Sequence, residues 1–482
     1  MTLALLSIAQ FLIALDYSII YIALPSIATD LGLRPELAQW VVSAYAVLFA
    51  GFLAVGGRLT DRVGPKRLFV VAITWFGLAS ALGGVAGNGA LLLAARGGQG
   101  LGAALLQPAV LGLIGTTFPA GPARARAVAM WGSVGAAGLA AGAILGGVLT
   151  AASWRLTFML NVPLTVLCAL GALLWPADQP APAARMPLRA AALGTATVLT
   201  LVLGLTLAAD AGWGSPVTLG CVAVAAGLGG WFVHHERTSA YVLIEPVLRG
   251  IRSLRSGAVA TALYMASVGS EFYLLTLLLQ TKKGYPPLLA GLAFLPLALL
   301  VTAGSTAAGR AVRRLSPTLV LVAGFVIATA GLLWLSLTLR GDSYAVDLLP
   351  GILLSGFGHG VIYTSMFVIG THDVPPAHQG TAGALLTTAQ YVSGALTVAV
   401  LTIVLGGRPD YPGFQIAFLV TTFAALGGAL AMSFGPLAGL HLVRTKRGLI
   451  DEERNGAAVR QDGAGDRRIA GNRPGDRDPA GR

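Results

Sequence analysis

The chain has 482 residues, of which 55% are hydrophobic and only 11% charged, and its mean hydropathy is +0.77. An average soluble domain carries roughly a quarter charged residues, so a water-soluble fold is excluded, having too little polar surface to cover so much apolar material. The net charge of +12 does not indicate nucleic acid, because the basic residues fall in short clusters between apolar runs and in the C-terminal tail, the pattern that sets membrane topology.

A spanning helix needs about twenty mostly apolar residues. The first such run, 2–24, is long enough to span and no small-residue cleavage pattern follows it, so it is predicted as a membrane helix rather than a signal peptide. Five more runs follow at 38–57, 68–87, 90–116, 127–150 and 155–175. Eight others lie at 189–209, 216–233, 256–279, 288–309, 318–339, 346–370, 382–406 and 414–436. The expected fold is therefore all-α and integral to the membrane, with fourteen transmembrane helices and both termini on one side. Cys168 and Cys221 sit in separate apolar runs and offer neither a disulfide framework nor a metal site.

Placing the N-terminus in the cytoplasm gives inside loops with fifteen basic residues, among them Arg58, Arg62, Lys66, Arg67, Arg124, Arg126 and Arg185. The outside loops hold six: Arg34, Arg155, Lys282, Lys283, Arg340 and Arg408. The positive-inside rule thus predicts cytoplasmic termini. The tail from Arg444 onward is rich in Gly, Arg and Asp without apolar periodicity, so it is expected to be disordered.

Sliding the chain on itself by 252 residues, the separation of Gly284 from Gly32 and of Gly309 from Gly57, reveals a repeat. Gly32, Pro35, Leu37 and Ala38 then meet Gly284, Pro287, Leu289 and Ala290, while Gly57, Arg58, Arg62 and Pro65 meet Gly309, Arg310, Arg314 and Pro317. The offset covers eight helices. The expected organisation is a six-helix bundle at 1–175, a linker with two extra transmembrane helices at 176–253, a second six-helix bundle at 254–440 and the tail at 441–482.

The loop Gly57-Arg58-Leu59-Thr60-Asp61-Arg62-Val63-Gly64-Pro65-Lys66-Arg67 joins the second and third runs and resembles the signature loop of the major facilitator superfamily. That resemblance implies a cytoplasmic gate served by Gly57, Asp61, Arg62, Gly64, Lys66 and Arg67; a solvated turn that only sets topology would account for the basic residues but not for Asp61. The fourth run carries Arg96-Gly97-Gly98-Gln99-Gly100, similar to the family's second motif, and an arginine at membrane depth requires a partner or a watery cavity. The fifth run has Gly138, Gly142, Gly146 and Gly147, which look like the antiporter motif of the family's drug exporters, with Ala143 where that motif has proline. Small-xxx-small spacing is also ordinary membrane packing.

Further stretches resemble the fourteen-helix drug:proton antiporter branch: Leu15-Asp16-Tyr17 with Ala23-Leu24-Pro25, Trp154-Arg155 with Asn161-Val162-Pro163, Leu279-Gln280 with Gly284-Tyr285-Pro286, and Val374-Pro375-Pro376. The resemblance implies a proton-coupled exporter of small amphipathic compounds, a drug or a self-made antibiotic, working without cofactor, metal or nucleic acid as a monomer in a bacterial inner membrane. A proton moving down ~100 mV supplies about 2.3 kcal/mol, enough for roughly fifty-fold accumulation of a neutral substrate. A nutrient symporter on the same fold and a transport-inactive sensor are the alternatives; scattered histidines speak against a metalloenzyme.

Asp16 lies mid-helix in the first run and Glu271 mid-helix in the ninth. The repeat places Glu271 over position 19, one turn from Asp16 on the same helical face, so both are expected to line one central cavity; the structural alternative for each is a neutral acid hydrogen-bonded between helices. Asp16 is expected to be the principal proton carrier. Arg96, Gln99, His359 and Tyr273 are the other expected cavity residues, and Tyr264, Phe272 and Tyr273 a wall around Glu271. The remaining aromatic residues are expected mostly at the membrane interfaces or against lipid.

Overall fold

A computed structural model describes residues 2–119, 121–175, 187–406 and 410–434. The start of the expected linker with Arg185, the loop residue Arg408, and the tail with Arg444 lie outside these residues, as does the side chain of Ala143. Every described element is helical.

The first half of the chain forms α1 (Thr2–Asp30), α2 (Pro35–Val63), α3 (Pro65–Gly84), α4 (Gly89–Thr117), α5 (Pro122–Ala152), α6 (Arg155–Met159) and α7 (Asn161–Leu173). A hairpin of α8 (Leu188–Ala211) and α9 (Pro216–Thr238) follows. The second half contains α10 (Pro246–Gly250), α11 (Arg252–Ala266), α12 (Glu271–Leu277), α13 (Pro287–Leu292), α14 (Leu295–Ala311), α15 (Pro317–Thr338), α16 (Leu349–Thr371), α17 (Gln379–Leu405) and α18 (Tyr411–Phe434). Proline opens α2, α3, α5, α9 and α15, where its missing N–H costs no intrahelical bond. Asn88 and Ser316 cap α4 and α15 by accepting from Leu91 and Leu319 N–H at 2.9 and 3.2 Å.

Among the described residues twelve helices are long and apolar enough to cross a membrane, or thirteen if the bent pair Arg252–Ala266 and Val268–Lys282 counts as one span. The remaining expected span is α5, whose 31 residues reach about 46 Å; several of its side chains lie outside the described residues, so it is not in that count. Three expected helices are also interrupted. Pro163 has no N–H and crowds the carbonyl four residues back, so the sixth run divides at Leu160 into α6 and α7; Pro296 divides the tenth into α13 and α14 in the same way. The ninth run bends by 42° after Ala266. There the Ser267 and Ser270 hydroxyls bond the carbonyls of Leu263 and Met265 at 2.7 and 2.6 Å, taking acceptors that a continuous helix would use.

α1 packs along α5, α2 and α3 along α4, and α3 against α7; in the second half α16 lies against α14 and α15, and α11 against α16 and α17. The halves join where α17 meets α2 and α4, and where α5 meets α14 and α16. These joints obey the repeat. A side chain at Gly57 would put its Cβ 2.9 Å from the Thr381 backbone, and one at Gly309 would put it 2.6 Å from Ala129. Thr381 lies the same 252 residues beyond Ala129 as Gly309 beyond Gly57. Gly32 and Gly284, also related by that shift, both adopt positive φ, 58° and 67°, a conformation that costs glycine little.

The hairpin is not simply peripheral. α9 packs only on α8 among its extensive contacts, but α8 lies against both α2 and α17, one from each half. The aromatic residues also depart from expectation: Trp131, Tyr45 and Phe49 are buried. Trp131 meets Tyr363 and Phe367 of the other half at ring distances of 5.7 and 5.2 Å, and Phe49 meets Tyr391 at 4.6 Å.

Candidate functional site

The first group of functional side chains closes the end of the molecule that carries the basic loop 57–67. Pro375 separates α16 from a 3₁₀ turn, Pro376–His378, that leads into α17, and the Gln379 side chain donates back to the carbonyls of Thr371 and Val374 at 3.2 and 2.7 Å. As at any helix start, the first N–H groups of α17 lack an intrahelical acceptor. Asp61 supplies the missing acceptors: Gly380 N–H donates to Oδ1 at 3.0 Å and Thr381 N–H to Oδ2 at 2.9 Å. A carboxylate at a helix N-terminus meets both open donors and the favourable end of the helix dipole.

This capping works across the two halves, and glycine makes it sterically feasible. A Cβ at Gly380 would stand 2.5 Å from Thr60 and 2.7 Å from Asp61, and Gly112 and Gly115 of α4 leave room for the same turn. Of the other loop residues, Gly64 forms the turn into α3, Lys66 donates to the Trp175 carbonyl, and Arg62 and Arg67 are exposed. Arg58 forms an ion pair with Glu245, a partner not foreseen in the sequence.

The second group lies within the first half. Asp16 Oδ2 pairs with Arg96 Nη1 at 2.7 Å, and Oδ1 accepts from Gln99 and Asn161, each at 2.8 Å. Gln99 Nε2 also reaches Ser80 Oγ at 2.8 Å. Arg96 donates from Nε to the Val41 carbonyl at 2.8 Å and lies over the Tyr45 ring, 4.6 Å from its centroid. Asp16 and Arg96 are 2% and 1% exposed, so their charges are neutralised within a sealed network. Gly138, Gly142 and Gly146 form a face of α5 against α1 at the level of this network, and a Cβ at Gly142 would collide with Ser18 Oγ at 1.9 Å. Gly147 follows on the same helix.

The third group lies in the second half. Glu271 begins α12 directly after the bend and is 0% exposed. Its Oε1 accepts from Ser355 Oγ of α16 at 2.6 Å, while Oε2 has no partner, and no cation pairs with it among the described residues. His359, one turn beyond Ser355, bonds Tyr264 through Nε2 and leaves Nδ1 without a partner. The structure does not join Asp16 to Glu271 in one cluster: the partners of Asp16 belong to α4 and α7, that of Glu271 to α16. Nor do the aromatic residues around Glu271 form one wall, since Tyr273 bonds Thr402 at 3.1 Å, Phe272 packs at a tilt against Phe294, and Tyr264 turns to His359.

Each acid is nonetheless tied to the fourth membrane-crossing segment of its own half, α4 or α16, so the pseudo-symmetry reaches the polar groups. Only the first half carries an arginine there. Ser80, Asn161, Ser355 and Gln379 escaped identification as site residues because a polar residue in an apolar helix commonly bonds its own preceding turn, as Thr60 and Thr261 do here.

The sequence profile of the Major Facilitator Superfamily matches residues 6–398. The chain is 36% identical over 414 residues to the cephamycin export protein of Amycolatopsis lactamdurans, covering 84% of each chain. It is 36% identical over 405 residues to the puromycin resistance protein of Streptomyces alboniger, covering 83% of this chain and 80% of that one. A solved structure of a proton:xylose symporter superposes with a TM-score of 0.64 at 15% identity, over 90% of this chain and 95% of the other, which shows a shared fold.

Proposed function

Because the chain belongs to the Major Facilitator Superfamily, a family of membrane transporters and not of enzymes, we propose that it exports small amphipathic compounds of the antibiotic class in exchange for protons. Export is supported by relatives named for export of, or resistance to, antibiotics. The proposed setting is a bacterial cell membrane, with the basic loops and both termini in the cytoplasm. The two halves rock about a midplane site. In the conformation described here the end that carries the basic loop 57–67, the cytoplasmic one on this reading, is closed by Asp61 on the start of α17.

The observation that carries the proton coupling is Glu271. A buried carboxylate with no cation beside it is costly, and loading it with a proton removes that cost. Asp16 differs, because Arg96 already balances it. The expectation from sequence that Asp16 is the principal carrier is therefore reassigned: Glu271 exchanges the proton, and the Asp16–Arg96 network holds α1, α4 and α7 together as the first half moves. Placed at the bend between α11 and α12, Glu271 is where a change in charge can be converted into a change in helix direction.

The test is tolerance of a pump-deficient bacterial host to a panel of toxic compounds. Wild-type protein should raise tolerance to at least one amphipathic member, and Asp61→Asn and Glu271→Gln should abolish the gain at equal membrane abundance. A panel on which wild type and both variants give the same tolerance would overturn the proposal.

A further inference from the structure

The loop that follows the inserted hairpin reaches the gate. Glu245 occupies the N-cap position of α10, and its carboxylate bonds Arg58 of α2 while Oε2 stands 3.4 Å from Nδ1 of His378, a close contact that becomes an ion pair when the histidine is protonated. Arg58 lies one turn before Asp61 on the same face of α2. His378 directly precedes Gln379, Gly380 and Thr381, the turn that Asp61 caps. One carboxylate therefore touches both sides of the joint between the halves, immediately beside the contact that closes it.

Glu245 is also held in place. Glu236, near the end of α9, accepts from the N–H groups of Leu243 and Ile244 at 2.7 and 3.1 Å. It also accepts from Arg249 Nη2 at 2.7 Å, while Arg249 donates through Nη1 to the Glu236 carbonyl at 2.7 Å and through Nε to the Ile244 carbonyl at 3.0 Å. The residues on either side of Glu245 are thus fixed to the end of α9, and through α9 to α8, which packs on both α2 and α17. An isolated surface ion pair contributes little because two long side chains must be ordered to make it. Here the scaffold has already ordered the acid, and the Arg58 and Glu245 side chains are only 12% and 27% exposed.

We propose that Glu245 is a positioning residue of the gate: carried by the inserted hairpin, it clamps Arg58 and the turn before α17 together and must release them whenever this end of the transporter opens. The inference rests on the proposed function in requiring that the Asp61 contact opens and closes. It gives the two extra helices a task in the cycle, bracing a latch that spans both halves.

The experiment reads gate opening without requiring transport. Leu111 is 4% exposed and lies against the start of α17, where a Cβ at Gly383 would stand 2.6 Å from it. In purified protein carrying Cys168→Ser, Cys221→Ser and Leu111→Cys, the rate of reaction with a charged maleimide reports how often this end opens. Glu245→Gln should react about tenfold faster than the parent, the equivalent of ~1.4 kcal/mol in the opening equilibrium. Arg58→Gln should behave alike, and the double variant should react no faster than either single variant, since all three remove one bridge.

Equal rates in Glu245→Gln and parent would overturn the clamp, as would rates that multiply in the double variant. Arg249→Gln, which frees the loop but leaves Glu245 intact, should also speed the reaction. An unchanged rate there would overturn the role assigned to the scaffold. A parent that does not react in any condition, even with Asp61→Asn, would instead contradict the reversible gate on which the clamp depends, so the two failures are distinguishable.

Discussion

Asp16 and Arg96 illustrate how a buried charge acquires its role from its neighbours. Removing one partner leaves the other as an uncompensated charge, a loss of about 3–5 kcal/mol, whereas replacing both removes the charges together. Asp16→Asn and Arg96→Gln should each lower the thermal unfolding midpoint in detergent, and the double variant should recover part of the loss. A double variant less stable than both singles would show that the hydrogen bonds to Val41, Gln99 and Asn161, rather than charge balance, hold the network. Arg96→Lys should recover little transport, because an ammonium cannot reach Asp16, Gln99 and the Val41 carbonyl together as the guanidinium does. The sequence made the depth of both residues legible, and with it the need for partners. It did not reveal that each is the other's partner, since they lie 80 positions apart. That pairing is what separates Asp16 from Glu271, two acids that look alike as letters in apolar runs.

At the scale of elements, the decisive contact is the start of α17 between α2 and α4. Gly57, Gly112, Gly115 and Gly380 permit it by leaving out side chains, and Asp61 holds it through two charge-assisted hydrogen bonds. Such bonds contribute about 1.5–3 kcal/mol each, so Asp61→Asn should lower the transport rate by roughly tenfold or more without removing the protein from the membrane. Unchanged transport kinetics would reduce the loop to a topology signal. Gly57→Val should act through shape alone, since its side chain would overlap Ala384 and Thr381; overpacking of this kind costs about 1–3 kcal/mol. It should hold the end open and label Leu111→Cys quickly, and slow labelling would mean that α2 and α17 adjust around the added methyl groups. The loop's acid was readable in the sequence as an unusual residue among basic ones. Its partners were not, because they are backbone N–H donors more than 300 positions away, exposed only by the way two prolines and Gln379 begin α17. The bridging position of α8 was equally hidden, since its sequence is apolar with no polar stripe to show which neighbours it meets.

For the whole molecule, apolar run length located nearly every helix, and the repeat of 252 residues anticipated joints that the structure makes twice, once at Gly57 and once at Gly309. Hydropathy could not foresee the breaks at Leu160 and Ala266, which come from a proline acting four residues back and from serine hydroxyls competing for carbonyls. The repeat does not extend to the charges around the acids: Arg96 of α4 pairs with Asp16, whereas Ser355 of α16 bonds Glu271. On that asymmetry rests the proposal that Glu271 exchanges the proton. It is tested most directly in vesicles containing purified protein and a pH-sensitive dye, using the compound that scores in the tolerance panel, by measuring protons moved per substrate. Wild type should exchange protons for substrate; Glu271→Gln should retain downhill substrate exchange with no proton movement, and the Asp16→Asn, Arg96→Gln double variant, where it assembles, should still move protons. Wild-type stoichiometry in Glu271→Gln would contradict the account.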